Sequence, residues 1–174
     1  NLLYVIVGCF VGTFIGGGMV LNRQLHTGRH GNAGAVGSLP YPGSLAGGQL
    51  LDVASIYLLE KTLKEAGQDT AFLHGRQQVW PEDVPGISEW LDSVATGIVH
   101  SAMSAHAFLD LDAVIIEGAL PDNIKAELLS RCGHLLQSAD FRGLSSLTLR
   151  GGSVGADAQS FGSANLPLLA QYSL

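Results

Sequence analysis

From Val5 to Leu21 the chain alternates between β-branched or large apolar residues and glycine, and no charged side chain precedes Arg23. Such a run, flanked by turn residues, reads as buried strands. The first strand leads into Gly12-Thr13-Phe14-Ile15-Gly16-Gly17-Gly18. The second leaves through Met19-Val20-Leu21 to a turn at Asn22-Arg23, and a short strand follows at Gln24 to Thr27. This predicts a three-stranded antiparallel meander whose first bend is almost bare backbone. Beyond it the period lengthens to that of helices. Leu50 to Ala66 carries an apolar stripe through Leu51, Ala54, Leu58 and Leu59 and stops at Gly67. Ile87, Leu91, Val94, Ile98, Ala102, Ala105 and Leu109 repeat at three and four residues, so Ile87 to Leu109 is one long amphipathic helix. Pro121 and Asp122 open another, with Ile124, Leu128, Cys132 and Leu135 on one face. Strands are expected at Ala113 to Glu117 and Leu147 to Arg150, a helix of small residues at the chain's end, and a loop over Gln68 to Gly86.

A meander followed by β-α-β-α is the layout of an α/β, ribonuclease-H-like lobe of the actin-type ATPase class. One domain of 174 residues suffices for it. Asn1 to Leu21 is long enough to span a bilayer and has small residues at Gly8, Gly12 and Gly16. However, five of these 21 residues are glycine, each costing about 1 kcal/mol against alanine in a helix, and no basic segment precedes them. A buried strand pair is the better reading, with no membrane association.

The composition is 47% hydrophobic and only 14% charged, an apolar surplus that implies self-association. The net charge of −6, with scattered arginines, excludes a nucleic-acid surface on this chain by itself. Cys9 and Cys132 are too few for a disulfide framework or a zinc cluster. They fit a cytoplasmic protein with two buried thiols. His100 and His106 lie six residues apart on a helix, point to different faces, and read as structural. No GxxxxGK[ST] phosphate loop is present, and three consecutive glycines are not a dinucleotide fingerprint. Gly151-Gly152 and Gly155 fit a tight strand-to-helix turn better than an anion site.

The glycines of Gly12 to Gly18, followed by Gly28-Arg29-His30-Gly31-Asn32-Ala33-Gly34-Ala35-Val36-Gly37-Ser38, resemble the ROK family of sugar kinases and sugar-responsive repressors. The family pattern is a GTGIGGG-like turn followed by GEIGH; here the segments read GTFIGGG and GAVGS. Gly48-Gln49-Leu50-Leu51-Asp52-Val53-Ala54-Ser55 stands where the family has GCLE and an Ala-Ser pair. Leu111 to Ala119 resembles its strand ending in glycines beside the nucleotide, and Gly155 to Ala164 its terminal helix. The resemblance covers nearly the whole chain as a carboxyl-terminal lobe, 1–174. It implies an upstream lobe with the phosphate loop and catalytic aspartate and, in repressors, a helix-turn-helix before that. It also implies pairing of two copies through this lobe.

The resemblance also shows what has been substituted. The sugar-binding glutamate and histidine of GEIGH fall at Ala35 and Ser38, and the later sugar-binding glutamate at Leu51. The zinc motif has no cysteine between Tyr41 and Gln49, so neither zinc nor another metal is expected. The family's nucleotide positions fall at Thr13, Gly16, Gly17, Gly118 and Ala119, but Phe14 replaces a glycine. Phe14 either obstructs a triphosphate or is a core aromatic. The candidate sugar contacts are His30, Asn32, Gly34 and Ser38, in the only segment where bare backbone and short polar side chains coincide. For His30 and Asn32, bracing the loop is the competing role. With no catalytic residue assigned, the expectation is the sensing lobe of a ROK-type regulator, taking a small carbohydrate effector and reaching DNA only through an upstream domain. The alternative is the carboxyl-terminal lobe of a sugar kinase, in which case ATP and Mg would be its cofactors.

Overall fold

The computed structural model describes residues 5–42, 48–74, 79–81 and 83–152. The terminal helix expected near Gly155 lies outside them. Strands β1 (Val5–Val11), β2 (Gly16–Leu21), β3 (Gln24–His26), β4 (Ala113–Gly118) and β5 (Thr148–Gly151) form one mixed sheet in the order β3-β2-β1-β4-β5. β1 is antiparallel to β2 and parallel to β4, β2 is antiparallel to β3, and β4 is parallel to β5. Helices α1 (Ile56–Glu65), α2 (Ile87–Leu109) and α3 (Asp122–Gln137) complete this α/β fold.

The period-2 geometry of a strand explains the apolar runs. Val7, Cys9 and Val11 of β1 and Val114 and Ile116 of β4 join the large core with Leu91, Val94, Ile98 and Ala102 of α2. Ile6, Val20, Ala113 and Ile115 form a smaller cluster from the intervening positions. Both faces are thus apolar, as parallel strands require. Arg131 joins α3 to α2, with its guanidinium 2.8 Å from Asp92 and 2.7 Å from the Ser88 carbonyl oxygen. No helix among the described residues is long and apolar enough to cross a membrane.

Two local expectations are corrected. Helical structure does not begin continuously at Leu50: Leu50–Asp52 is a single 3-10 turn, and α1 starts only at Ile56. The buried residues of α1 are therefore Ile56, Leu59 and Leu63, not the stripe beginning at Leu51. The reason is a capping arrangement, in which Gln49 N–H donates to Asp52 and closes the short turn before the chain extends to Ser55. Gly16, Gly17 and Gly18 are strand residues of β2, not the bend itself, which is Gly12 to Ile15. Gly151 is the last residue of β5, and the rest of the strand-to-helix turn expected from Gly151-Gly152 and Gly155 lies outside the described residues.

Cys9 and Cys132 are both buried, and burial pushes each thiol up to about 12. A thiol raised in the folded state favours the neutral form. Its contribution to stability is therefore complete below the unfolded value of 9.0 and is lost as pH climbs from there towards 12. A maleimide should leave both cysteines unmodified in the native protein at pH 7.5 and label both in denaturant. Rapid native labelling of either would contradict the packing.

Candidate functional site

The sheet's carboxyl-terminal edge and the loop following β3 are built around the same glycines. β1 ends at Val11 and the chain turns through Gly12 to Ile15, where it meets the start of α1. Ile56 N–H donates to the Gly12 carbonyl oxygen at 3.0 Å and Tyr57 N–H to that of Thr13 at 3.1 Å. The buried Ser55 hydroxyl accepts from Ile15 N–H at 3.1 Å and donates to the Leu51 carbonyl oxygen at 2.8 Å. Trp90 Nε1 donates to the Ser55 carbonyl oxygen at 2.9 Å, tying α2 into the same joint. The first N–H groups of α1 thus satisfy the turn rather than facing a ligand. Ser55 and Trp90 were not singled out from sequence; an Ala-Ser pair before an apolar run was the available signal.

Thr13 is exposed on this turn, and Phe14 beside it is 59% exposed, which overturns its reading as a core aromatic. The Phe14 ring lies against that of the partly exposed Tyr57, with centroids 5.8 Å apart. Tertiary register places the other nucleotide-side candidates close by: Gly118 is opposite Val11, and Ala119 N–H donates to the Val11 carbonyl oxygen at 3.0 Å. Thr13, Gly118 and Ala119 therefore gather at one edge, while Gly16 and Gly17 lie within β2 opposite Phe10 and Cys9. The same edge holds a pair that the sequence did not reveal. Lys125 Nζ is 3.2 Å from buried Glu117 and also donates to the Gly152 carbonyl oxygen. A Cβ on Gly152 would run into the Glu117 carboxylate, which would have to shift to admit it.

The candidate sugar-binding segment lies over β2. A Cβ on Gly17 would strike the Gly8 carbonyl oxygen and come within 2.8 Å of both the Gly34 oxygen and Val36. A Cβ on Gly34, whose φ is +77°, would come within 2.6 Å of the Gly18 backbone, and one on Gly37 would meet the Ile15 carbonyl oxygen. These glycines bring backbone against backbone, so at Gly17, Gly34 and Gly37 the space is filled by protein. Gly16, by contrast, has nothing within 4 Å of where its Cβ would stand.

The loop is then stitched by its own amides. Ala33 N–H donates to the Thr27 oxygen at 3.0 Å, Ala35 N–H to that of Asn32 at 3.1 Å, and Leu50 N–H to that of Leu39 at 2.9 Å. Leu51 approaches Gly37, whose Cβ would lie 3.7 Å from its own, so positions 35 to 38 and 51 share one neighbourhood. His30, Asn32, Ala35 and Ser38 are exposed. Gly34 and Ser38 line a groove of about 470 Å³ with Val36, Leu39 and the α2 residues Ser101 and Phe108. His30 and Asn32 stand outside that groove, on the stretch leading into it.

Three of the remaining histidines have other partners. His74 lies 3.1 Å from Glu60, and the hydrogen bonds from Lys64 and from His74 hold that carboxyl below its ordinary range. His100 meets Tyr41 edge-on with centroids 5.2 Å apart. Buried His106 has Ser145 Oγ 3.2 Å from Nε2, and that hydroxyl donates to Asp110 at 2.9 Å. The resemblance to a nucleophilic triad fails on tautomer. Nδ1 accepts Leu111 N–H at 3.0 Å, so the proton sits on Nε2, facing the Ser145 carbonyl oxygen at 3.0 Å, and the ring cannot act there as a base. Among the described residues no group of three or more His, Cys, Asp or Glu could hold a metal ion.

Several solved structures with a similar fold are described as ROK family proteins. A ROK family protein from Streptococcus pneumoniae TIGR4 in complex with sucrose matches 99% of the chain at 16% identity, with a TM-score of 0.67. The fold is that of the ROK proteins. A ROK family glucokinase from Streptomyces griseus, in complex with glucose and AMPPNP, matches 99% at 18% identity and TM-score 0.66. A ROK family transcriptional regulator, a homologue of the E. coli MLC protein, matches 97% at 17% identity and TM-score 0.65. The chain spans 61%, 61% and 46% of these three structures respectively. No protein-family model and no curated protein sequence matches it.

The contacts at glycine separate scaffold from ligand surface. Gly17→Ala should destabilise the fold by about 1–3 kcal/mol, the usual range for forced overpacking, while Gly16→Ala should be neutral or mildly stabilising. Urea unfolding of the two variants checks this, and equal midpoints would show that the loop is not seated on β2.

Proposed function

We propose that the chain is the sugar- or sugar-derivative-sensing lobe of a ROK-family transcriptional regulator whose kinase site has degenerated. The observation that carries this reading is the contrast between the loop's backbone and its side chains. The glycine contacts that seat residues 34–38 on β2 are present, whereas the positions where the family holds sugar by carboxylate and imidazole carry Ala35, Ser38 and Leu51. Phosphoryl transfer needs a substrate held in line, and an alanine, a serine and a leucine supply little of that positioning. Recognition without turnover asks only for directional donors and acceptors, which a neutral polyol prefers to net charge.

In this reading Asn32 and His30 make side-chain contacts to the effector, Ser38 donates a shorter hydrogen bond, and Gly34 contributes backbone. Neither zinc nor ATP is required. Contact with DNA belongs to an upstream helix-turn-helix, because this lobe is acidic and has no basic stripe.

The second reading, a kinase lobe, is favoured by the similarity to glucokinase structures and by Thr13, Gly118 and Ala119 gathered at one edge of the sheet. It would have Thr13, Gly16, Gly17, Gly118 and Ala119 beside ATP and Mg. Against it, Phe14 stands exposed on the turn beside Thr13.

The two readings separate on the full-length protein. An effector found by thermal-shift screening of sugars should bind Asn32→Ala more weakly by about 1–3 kcal/mol in calorimetry, the cost of one buried hydrogen bond, with folding unchanged. A coupled assay should give no ATP-dependent turnover on hexoses. Normal binding by both Asn32→Ala and His30→Ala would move the site elsewhere, and turnover near the ~10 s⁻¹ typical of enzymes would restore the kinase.

A further inference from the structure

Phe14 and Tyr57 are 59% and 47% exposed, yet neither sits on a free loop. Their rings lie 5.8 Å apart with planes inclined by 33°, a spacing usual for paired rings in protein cores. The main chain beneath them is held by hydrogen bonds: Tyr57 N–H to the Thr13 carbonyl oxygen, Ile56 N–H to that of Gly12, and Ile15 N–H to the Ser55 hydroxyl. A single exposed apolar residue is ordinary, but two rings mated on a rigid joint form a preformed surface. The pair also adjoins the candidate sugar-binding loop. The carbonyl oxygen of Ile15 lies against Gly37, and the chain neighbours of that contact, Phe14 and Ser38, are both exposed.

We infer that Phe14 and Tyr57 form an aromatic subsite for the effector. Resting on the sugar-sensing role proposed above, a pyranose lays its face of C–H bonds on the two rings while its hydroxyl edge meets the loop at Ser38. The chemistry of the occupant follows from what surrounds the rings. The amides of Ile15, Ile56 and Tyr57 already donate within the protein, so they are not free to hold a phosphate. Neither Gly12 to Leu21 nor Gly31 to Leu51 contains a charged side chain. The charges one turn beyond Tyr57 on α1, Glu60 and Lys61, are paired with Lys64 and Glu65. What the surface presents is ring faces, with the exposed Thr13 beside Phe14 and Ser38 across the contact. A neutral ring with one apolar face and hydroxyls around its edge matches both. Because positions 35 and 51 are Ala and Leu, burial of the ring carries the affinity and the loop's few donors orient it.

Saturation-transfer difference NMR on the full-length protein, titrated with the methyl β-glycosides of glucose, mannose, galactose and N-acetylglucosamine, tests this. On irradiation of the protein's aromatic protons, at least one glycoside should receive saturation chiefly at the axial hydrogens of one ring face. Phe14→Tyr should keep the affinity. Phe14→Leu, which keeps apolar bulk but not the π face, and Tyr57→Ala should each weaken it by about tenfold, a factor usual for the loss of one stacked ring. Both side chains are exposed, so circular dichroism and thermal unfolding should not change. Asn32→Ala separates the subsite from the sensing role on which it rests. Weaker binding by Asn32→Ala, with wild-type binding by Phe14→Leu and Tyr57→Ala, would leave the sensing role standing and overturn the aromatic subsite. Binding of none of the glycosides would overturn both. A Phe14→Leu protein that loses stability but not affinity would also overturn the subsite, because it would show the rings covered by another part of the protein.

Discussion

Everything distinctive in this molecule depends on backbone packed directly against backbone where β2 meets the loop after β3. Gly17 is hemmed in by the Gly8 and Gly34 oxygens, Gly34 by the main chain of Gly18, and Gly37 by the Ile15 oxygen. A single methyl group at these places would separate the layers. Because they touch, the segment carrying His30, Asn32 and Ser38 has a fixed position relative to the sheet, although it contains only one short 3-10 turn, Val36–Ser38. Rigid support beneath an irregular loop is what a recognition site needs, since the entropy of ordering that loop has been lost on folding and not on binding.

That same packing decides where chemistry is available. The turn after β1 is joined to α1 through the Gly12 and Thr13 carbonyl oxygens and through Ser55, so its polar groups hold the fold together. At the end of β4 Glu117, the one buried carboxylate among the described residues, is held by Lys125. From Gly31 to Ser38 the loop side presents uncharged, exposed polar groups instead. The proposal of sensing over phosphoryl transfer rests on this asymmetry between the loop and the edge.

Much of the architecture was legible because periodicity reports burial. The repeat through Leu91, Val94, Ile98 and Ala102 marks α2 from Ile87 to Leu109, and Pro121-Asp122 marks the start of α3. The helix expected from Leu50 was less legible, because Asp52 closes a capping interaction with Gln49 that apolar spacing does not register. Glycine was the hardest to read. From sequence, three in a row looked like exposed backbone awaiting a ligand. Whether the space beside a glycine is open, as at Gly16, or filled, as at Gly17, depends on a loop some seventeen residues away. Phe14 was undecidable for a similar reason, since only the position of α1 shows that its ring lies outside the core against Tyr57. The Glu117–Lys125 pair joins a strand end to a helix eight residues on, a distance at which sequence carries no pairing signal.

The central claim, that residues 33–39 are a preformed part of the sheet assembly, is tested most directly by native-state amide hydrogen exchange without ligand. If the glycine contacts seat the loop, the Ala33 and Leu39 amides, bonded to the Thr27 and Val36 oxygens, should exchange nearly as slowly as those of β2. Exchange of these amides at rates typical of an open surface loop, while β2 remains protected, would contradict the account.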